Sequence, residues 1–503
     1  MARSDSTPAL VEATEDDPPV APARRSATAA QFLAPLIVGC ALFMEMLDST
    51  VISTALPAIA RSLGENPIKL NLAITSYLLS LAVFIPISGW MADRFGARTV
   101  FRSAIVIFTV GSICCGLSQS LPQLVAARIL QGLGGAMMVP VGRLIVLKTI
   151  AKSELVQAMS YLTVPAVLGP VVGPPVGGFI VTYYSWRWIF FINVPIGLLG
   201  ITLVTLYIEN IREEEIWPLD LRGFLLTGFG LAGLVFGFEM IGREVLAPGM
   251  VICILIAGGL CMGLYFLHAQ RTRYPIVDLG LFGIPTFSFA TLGGGLFRMG
   301  IGALPFLLAM LLQLVFGLSP FAAGLLTFTA AAGALTMKMA AGPIIRRLGF
   351  RTVLFANGLI SALVMMSYAL FRQTTPHLMI IAALLSGGFF RSLQFTALNT
   401  LAYADVPQSS MSYASSLSSM AQQLFLSLGV ASAALILHLS LGGRHVSQLA
   451  AHDFTAPFVI IGILALFSSC FFLLLDPAAG DEVSGRQPGV SLANTARAVP
   501  EAD

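Results

Sequence analysis

The feature that most constrains this 503-residue chain is a series of long apolar segments. A helix that crosses a bilayer needs about 20 predominantly apolar residues, whereas the strands of a membrane barrel alternate polar and apolar side chains. The segments do not alternate, which favours helices. They cover residues 32–57, 70–91, 100–117, 121–148, 155–182, 189–208, 223–242, 249–267, 286–315, 321–342, 352–371, 377–401, 413–441 and 454–475. The sequence therefore predicts an all-α polytopic membrane protein with fourteen transmembrane helices.

Charged residues are too few for a soluble protein. They make up 11% of the chain, and 56% of its residues are apolar, whereas soluble domains carry about 25% charged residues. This composition excludes a soluble enzyme, and the net charge of +3 gives no indication of a nucleic-acid partner. We expect membrane lipids around the chain and no nucleic acid. The cysteines and histidines show no metal-ligand spacing, and no phosphate-binding loop occurs, so we expect no enzyme activity, cofactor or metal site.

The distribution of Lys and Arg predicts the orientation in the membrane. With the N-terminus inside, 17 of them fall in inner segments or tails and 6 in outer segments, as the positive-inside rule requires. An even number of crossings then leaves both termini in the cytoplasm, and we expect the chain in the inner (plasma) membrane. Residues 1–30 and 477–503 are polar and rich in small residues, which predicts disordered cytoplasmic tails.

A short sequence recurs at an offset of 253 residues, as GWMADRFGARTV at 89–100 and GPIIRRLGFRTV at 342–353. Each copy follows the second helix of a predicted six-helix set. Residues 31–210 then form one half and 286–476 the other, while 211–285 form a linker with an inserted helix pair. Two parallel halves of this kind are a transporter architecture, with the substrate cavity between them. We expect a monomer in this 6 + 2 + 6 arrangement.

Five motifs occur in order along the chain. They are Leu47-Asp48-Ser49-Thr50-Val51 in the first helix, Gly89-x-x-x-Asp93-Arg94-x-Gly96-x-Arg98 in the first repeat, Arg128-Ile-Leu-Gln131-Gly132 in the fourth helix, Gly169-x-x-x-Gly173-Pro174-x-x-Gly177-Gly178 in the fifth, and the segment from Trp186 to Pro195. Through these motifs residues 32–475 resemble the major facilitator superfamily and its fourteen-helix drug:proton antiporters of the EmrB/QacA type. Within that family the chain is most similar to MdtD-like (HsrA-like) multidrug transporters. The resemblance implies export of amphipathic small molecules in exchange for protons.

The loop motif has two interpretations. Gly89 and Gly96 allow a tight turn, and Asp93 can accept charge-assisted hydrogen bonds from a nearby Arg or a helix N-terminus. The resemblance implies a charge relay that latches one conformation. In the alternative, Arg94 and Arg98 only hold a solvated loop on the cytoplasmic side.

The fifth-helix motif, from Gly169 to Gly178, also leaves two interpretations open. Small residues let helices approach closely, and proline removes backbone hydrogen bonds and permits bending. The motif is therefore either a flexible face at the interface of the halves, as the resemblance implies, or close packing with a static kink.

Charges inside the membrane are costly and are candidates for function. Glu45 and Asp48 are three residues apart, so they share a helix face, and two close carboxylates cannot easily both ionise. One of them is then suited to carry a proton. Arg128 is the natural counter-ion, because helical rise places it and Asp48 in the same outer half of the bilayer. The alternative is a permanent ion pair that only fixes helix packing.

The repeat offset relates Glu45 to Arg298, and we hypothesise that the two interact across the cavity. Further candidates for the cavity are Arg391, Gln394 and Gln422. Some of the fourteen-helix relatives that the chain resembles carry an acidic residue in the thirteenth helix for cationic substrates. This chain has no carboxylate there, so the resemblance implies neutral, monocationic or anionic compounds rather than divalent cations. Arg143 and Lys338 are expected to extend toward the cytoplasmic surface. Other functions stay open, namely a dedicated exporter of a metabolite, lipid or siderophore, or a non-transporting membrane scaffold or sensor.

Overall fold

The computed structural model describes residues 27–65, 67–213, 217–241, 246–441 and 449–486. Within these residues the regular structure is helical, with no strand. The helices are α1 (Ala27–Leu63), α2 (Pro67–Phe84), α3 (Ser88–Phe95), α4 (Ala97–Leu117), α5 (Leu121–Thr149), α6 (Leu155–Tyr183), α7 (Trp188–Phe191), α8 (Asn193–Tyr207), α9 (Leu221–Met240), α10 (Pro248–Ala269), α11 (Pro285–Ser288), α12 (Gly294–Met310), α13 (Pro320–Ser367), α14 (His377–Leu401), α15 (Met411–Leu441), α16 (Thr455–Phe471) and α17 (Asp481–Ser484).

Twelve helical stretches in the described part of the chain are long and apolar enough to cross a membrane, two fewer than the sequence predicts. One of them spans Ala322–Leu370. It contains Gly349, whose φ of 77° and ψ of 161° interrupt the helical geometry. Helix α6, with 29 residues, lies between the fourth and fifth of the twelve and is not counted among them. The all-helical membrane architecture is thus established, and the number of crossings depends on how these two elements are counted.

The sequence repeat has a structural counterpart in each half. Gly96 and Gly349, 253 residues apart, both have positive φ angles, of 87° and 77°, a conformation that favours glycine. Arg98 donates from Nη1 to the Ile208 carbonyl at 3.2 Å, and Arg351 donates from Nη2 to the Leu473 carbonyl at 2.8 Å. In both copies the arginine therefore ties the turn to the end of the last long helix of its half.

The helices pack most closely within the two predicted halves. In the first half α1 packs on α6, and α5 packs on α2 and α4; in the second, α13 packs on α14 and α16, and α12 packs on α15 and α16. The inserted pair α9–α10 contacts α2 of one half and α15 of the other, through α9. Helix α10 leaves apolar side chains such as Ile252, Ile256 and Leu260 exposed, as expected of a lipid-facing helix. The inserted pair is therefore in contact with both halves.

The predicted boundaries of the tails need correction. Helix α1 begins at Ala27, and most of the N-terminal tail lies outside the described residues. The C-terminal tail predicted from residue 477 is wrong for residues 477–486. Helix α17 lies there, Val483 is fully buried, and Glu482 forms an ion pair with Lys152 at 3.1 Å. The buried contact of Val483 and one turn of helix are enough to order residues 477–486, although their composition resembles that of the tail.

Candidate functional site

The carboxylate of Asp48 in α1 is enclosed by polar side chains from three other helices. Arg128 donates to Asp48 Oδ2 at 2.5 Å, and Gln131 and Asn193 each donate to Oδ1 at 2.9 Å. Both amides also donate to Ser112 Oγ, at 2.7 and 3.0 Å. The side chains of Asp48 and Arg128 are 1% exposed. We call these five residues the Asp48 cluster.

The elements that carry the cluster explain its position. Helix α5 brings Arg128 and Gln131 to one face, three residues apart. Arg128 also donates from Nε to the Ala73 carbonyl at 3.2 Å, and its guanidinium lies 4.3 Å from the centre of the Tyr77 ring. Apolar residues of α1, α2 and α5 surround this part of the fold. The structure thus brings Asp48 and Arg128 together, as predicted, in a setting where an ionised carboxylate depends on its partners.

Sequence reasoning missed three members of the cluster, Gln131, Asn193 and Ser112. Gln131 and Asn193 stand in motifs quoted above, but no role was assigned to them. A usable signal was present. Asn193 is the one amide of the apolar segment 189–208, Gln131 lies three residues after Arg128, and a buried amide needs a hydrogen-bond partner.

Glu45 lies beside Tyr77 and Asp48, and its Oε2 is buried without a hydrogen-bond partner among the described residues. Arg298 instead donates to the Ala290 carbonyl at 2.9 Å and to Asn399 Oδ1 at 3.1 Å. The hypothesis was that Glu45 and Arg298 interact directly or through water, and the structure shows no direct hydrogen bond or ion pair between them in this conformation. The pseudo-symmetry relates their positions along the chain, but each side chain is held by its own half.

We therefore expect a charge swap between these two residues to fail. The double variant Glu45→Arg with Arg298→Glu should transport no better than either single variant, because neither new side chain would meet the other and both would lie among unsuited neighbours. Transport assays on the three variants, with expression measured in parallel, check this. Recovery in the double variant would restore the pairing hypothesis.

Asp93 in α3 joins the two halves. The hydroxyl of Ser412, the second residue of α15, donates to Asp93 Oδ2 at 2.5 Å. Lys148 of α5 lies 3.5 Å from Asp93 Oδ1 and forms a second ion pair with Glu213 at 2.6 Å. The predicted helix N-terminus is thus the start of α15, which favours a nearby anion. Of the two predicted partners, an arginine is not found at the carboxylate, because Lys148 of α5 reaches it instead.

The two arginines of the loop motif have other contacts. Arg94 lies over the rings of Trp90 and Phe95, at 5.6 and 5.8 Å from their centres. Arg98 is bonded to the carbonyl of Ile208, as described above. Gly89 lies against α15, where an added Cβ would be only 2.8 Å from the Ser412 carbonyl oxygen. The loop motif therefore combines a close inter-half contact at Gly89 with a polar contact at Asp93.

Replacing Asp93 by Asn should leave expression intact and slow transport. The amide keeps an acceptor for Ser412 but loses its charge toward Lys148 and the start of α15. We expect transport to fall several-fold while the yield of folded protein is unchanged. Initial transport rates, normalised to protein in the membrane, measure this, and a normal rate would remove the latch interpretation.

Other hydrogen bonds between the halves lie at the same end of the molecule. Ser88 and Ser416 bond through their hydroxyls at 2.8 Å, and Ser415 donates to the Pro140 carbonyl at 2.7 Å. Arg143 donates to Tyr403 Oη at 3.0 Å. We call this end the Gly96 face, because the turn at Gly96 belongs to it. In the part of the chain described, the inter-half hydrogen bonds close this face. Arg143 bonds across the interface and is buried, so the expectation that it extends to the surface is wrong.

The glycines of the fifth-helix motif pack within the first half. A Cβ at Gly169 would be 2.7 Å from Met46 Cβ of α1, and Gly173 lies against Thr50. Gly177 is buried, while Gly178 has open space beside it. The side chain of Pro174 lies outside the described residues. The glycine face thus packs on the part of α1 that carries Asp48, whereas other contacts of α6 reach α13 and α14.

The remaining cavity candidates occupy different surroundings. Gln394 is fully buried and bonded to Asn357 and to the Leu354 carbonyl, each at 2.9 Å. It joins α13 to α14, so the cavity assignment is wrong for this residue. Gln422 accepts from Arg143 at 3.2 Å and lies at the interface. Arg391 donates to the Gly387 carbonyl of its own helix at 3.0 Å.

No group of three or more His, Cys, Asp and Glu side chains in the described part of the chain could hold a metal ion. Two helical halves that are joined by hydrogen bonds at one face, with a buried ion pair inside one of them, are an architecture found in membrane transporters.

The comparisons with known proteins agree with this class. The chain belongs to the Major Facilitator Superfamily, whose sequence profile matches residues 38–304 and 290–499. It is 38% identical over 439 residues to the protein MdtD of Salmonella heidelberg (strain SL476), covering 87% of this chain and 93% of the relative. It is 40% identical over 437 residues to MdtD of Pectobacterium carotovorum subsp. carotovorum (strain PC1), covering 86% and 93%. The names of both relatives assign them provisionally to multidrug resistance.

Solved structures support the fold alone. The proton:xylose symporter XylE aligns with a TM-score of 0.64 at 15% identity, over 91% of this chain and 98% of that one. The human organic anion transporter MFSD10 (TETRAN) aligns with a TM-score of 0.61 at 16% identity, over 90% and 100%.

Proposed function

We propose that the protein is a proton-coupled multidrug exporter that moves amphipathic small molecules outward by alternating access. The observation that carries this proposal is the Asp48 cluster, a carboxylate enclosed inside the membrane beside a second acid, Glu45. Such a group can exchange a proton only when the fold changes its access to water, which is what coupling requires. The MdtD relatives, named for multidrug resistance, support the class of substrate.

The topology that accompanies this function has fourteen crossings. If the arms of α13 on either side of Gly349 each span the bilayer, and α6 does as well, the twelve candidate spans become fourteen in a 6 + 2 + 6 arrangement. The excess of Lys and Arg then favours an orientation with the Gly96 face on the cytoplasmic side of the inner membrane. In the described conformation the two halves are accordingly joined on the cytoplasmic side.

The coupling follows from the partners of Asp48. Protonation would remove its charge, weaken its bonds to Arg128, Gln131 and Asn193, and change the packing of α1 against α5 and α8. Because α6 packs on the same part of α1 and also contacts the second half, a shift of α1 can reach the inter-half contacts. Proton binding can bias the equilibrium only by its difference in affinity between the two states.

Reconstitution tests the proposal directly. The protein is placed in liposomes that hold an internal pH dye. It should move protons when an amphipathic cation, a neutral compound or an anion is added on the side of the Gly96 face, from which an exporter takes up its substrate. Proton flux that depends on both protein and substrate supports antiport. Substrate movement without proton flux, or no movement of any member of a broad panel, would contradict it.

A further inference from the structure

Three polar residues lie close together at the end of α14. Thr396 and Asn399 are three residues apart in the last turns of the helix, a spacing that puts their side chains on one face, and Tyr403 lies in the turn that follows Leu401. All three are buried.

Each of these residues accepts a hydrogen bond from a different basic side chain. Lys338 of α13 donates to Thr396 Oγ1 at 2.7 Å, Arg298 of α12 to Asn399 Oδ1 at 3.1 Å, and Arg143 of α5 to Tyr403 Oη at 3.0 Å. The three basic residues are only 8%, 2% and 6% exposed. We call them the cationic face. It draws on both halves, because Arg143 belongs to the first and the others to the second.

The cationic face has no counter-charge among the described residues. Its hydrogen-bond partners are all uncharged. They are two hydroxyls, two side-chain amides and one backbone carbonyl, those of Thr396, Tyr403, Asn399, Gln422 and Ala290. Arg128 in the first half, by contrast, is paired with Asp48. Arg143 and Arg298 are close enough to repel each other, and Nε of Arg298 is buried without a hydrogen-bond partner. Guanidinium groups stay charged, and buried charges without an opposite charge are unfavourable. The cationic face therefore carries positive charge that no acidic side chain among the described residues compensates.

We propose that the cationic face binds an organic anion and that anions are among the transported substrates, a proposal that rests on the transport function above. When the halves part, Arg143 leaves Tyr403 and Gln422, and its planar fork can then bind a carboxylate or sulfonate with two hydrogen bonds. Arg298 stays anchored by Asn399 and Ala290 and presents its free Nε. The ring of Phe395, 6.0 Å from the Arg298 guanidinium, offers apolar surface for the rest of an amphipathic molecule.

The test compares two dyes of similar shape and opposite charge. Binding of 6-carboxyfluorescein, an anion, and rhodamine 6G, a cation, is measured by fluorescence anisotropy on the full chain in nanodiscs. Arg298→Gln and Arg143→Gln should each weaken carboxyfluorescein binding by at least about tenfold, the value of one hydrogen bond between charged groups. Arg298→Lys should keep part of the affinity. Rhodamine 6G binding should not weaken in any of them.

Arg372→Gln serves as the matched control, because Arg372 lies in the same half, in the segment between α13 and α14. Among the described residues its guanidinium donates to the nearby carbonyls of Ala369 and Phe371. Its affinity for carboxyfluorescein should stay within about twofold of wild type. Thermal melting guards against misfolding. Without the dye Arg298→Gln should melt no lower than wild type, because it removes an uncompensated charge. The dye should raise the melting temperature of wild type and of Arg372→Gln but not that of Arg298→Gln.

The outcomes separate this proposal from the transport function. If wild type binds carboxyfluorescein no better than empty nanodiscs, or if a folded Arg298→Gln binds it normally, the anion site is refuted even where rhodamine 6G drives proton flux. If the anion binds as expected but no compound drives flux in liposomes, the site stands and the transport proposal falls.

Discussion

Substitution of Asp48 by Asn should abolish substrate-driven proton movement. The amide has nearly the same shape and can still accept from Arg128 and Asn193, but it cannot take up or release a proton. It also leaves the Arg128 charge buried without its counter-ion, and breaking a buried pair in this way costs about 3–5 kcal/mol. We therefore expect proton flux at the level of protein-free liposomes, together with a lower melting temperature.

The control for this experiment is Asp405→Asn. Asp405 is an exposed carboxylate in the turn after α14, so its loss removes the same charge without touching the Asp48 cluster. Its proton flux should equal that of wild type. Normal coupling in a folded Asp48→Asn protein would leave the ion pair with a structural role only, which is the alternative considered from the sequence.

A disulfide across the Gly96 face should lock the transporter. The hydroxyl oxygens of Ser88 and Ser416 are 2.8 Å apart, and a Cys at each position can meet the short distances that a disulfide requires. Because these residues belong to different halves, the Ser88→Cys, Ser416→Cys double variant should cross-link in the described conformation. We expect oxidation to reduce transport at least about tenfold, since a covalent bond prevents the halves from parting at this face.

The single variants Ser88→Cys and Ser416→Cys control for the loss of the hydroxyls and for reaction of the native cysteines. Both should transport normally after oxidation, and a reductant should restore the double variant. Full transport with a complete cross-link, shown by the mobility of the protein after cleavage between the halves, would mean that this face does not open during the cycle.

The sequence predicts most of the architecture because each membrane crossing requires a long apolar segment, which is easily recognised. The long apolar segments, the repeat at 89–100 and 342–353, and the inserted pair can all be recognised in the sequence. The number of crossings was less certain, because helical structure continues on both sides of a single residue, Gly349. The first residues after 476 were misjudged, since one buried side chain, Val483, is enough to order a polar segment.

The sequence predicts which residues of the site lie at the same depth in the membrane, but not which side chains face one another. Counting residues along two helices brought Asp48 and Arg128 to the same level, and the structure places them in contact. Such counting gives no rotation about the helix axis, so it could not assign Gln131 and Asn193 to the same carboxylate. It also treated Arg143 and Lys338 as able to reach water, whereas Arg143 donates to Tyr403 in the turn after α14 and Lys338 donates to Thr396 in α14.

The packing of α9 would set a mechanical limit on the proposed transport cycle. This helix touches α2 in one half and α15 in the other, so it could not move as part of both if the halves rotated apart. One of the two contacts would have to slide or break in each turnover, and the inserted pair would then travel with the half that it keeps. The amplitude of the rocking motion would thus be restricted by how far α9 can shift along the other half. A chain without the pair would be free of that restraint.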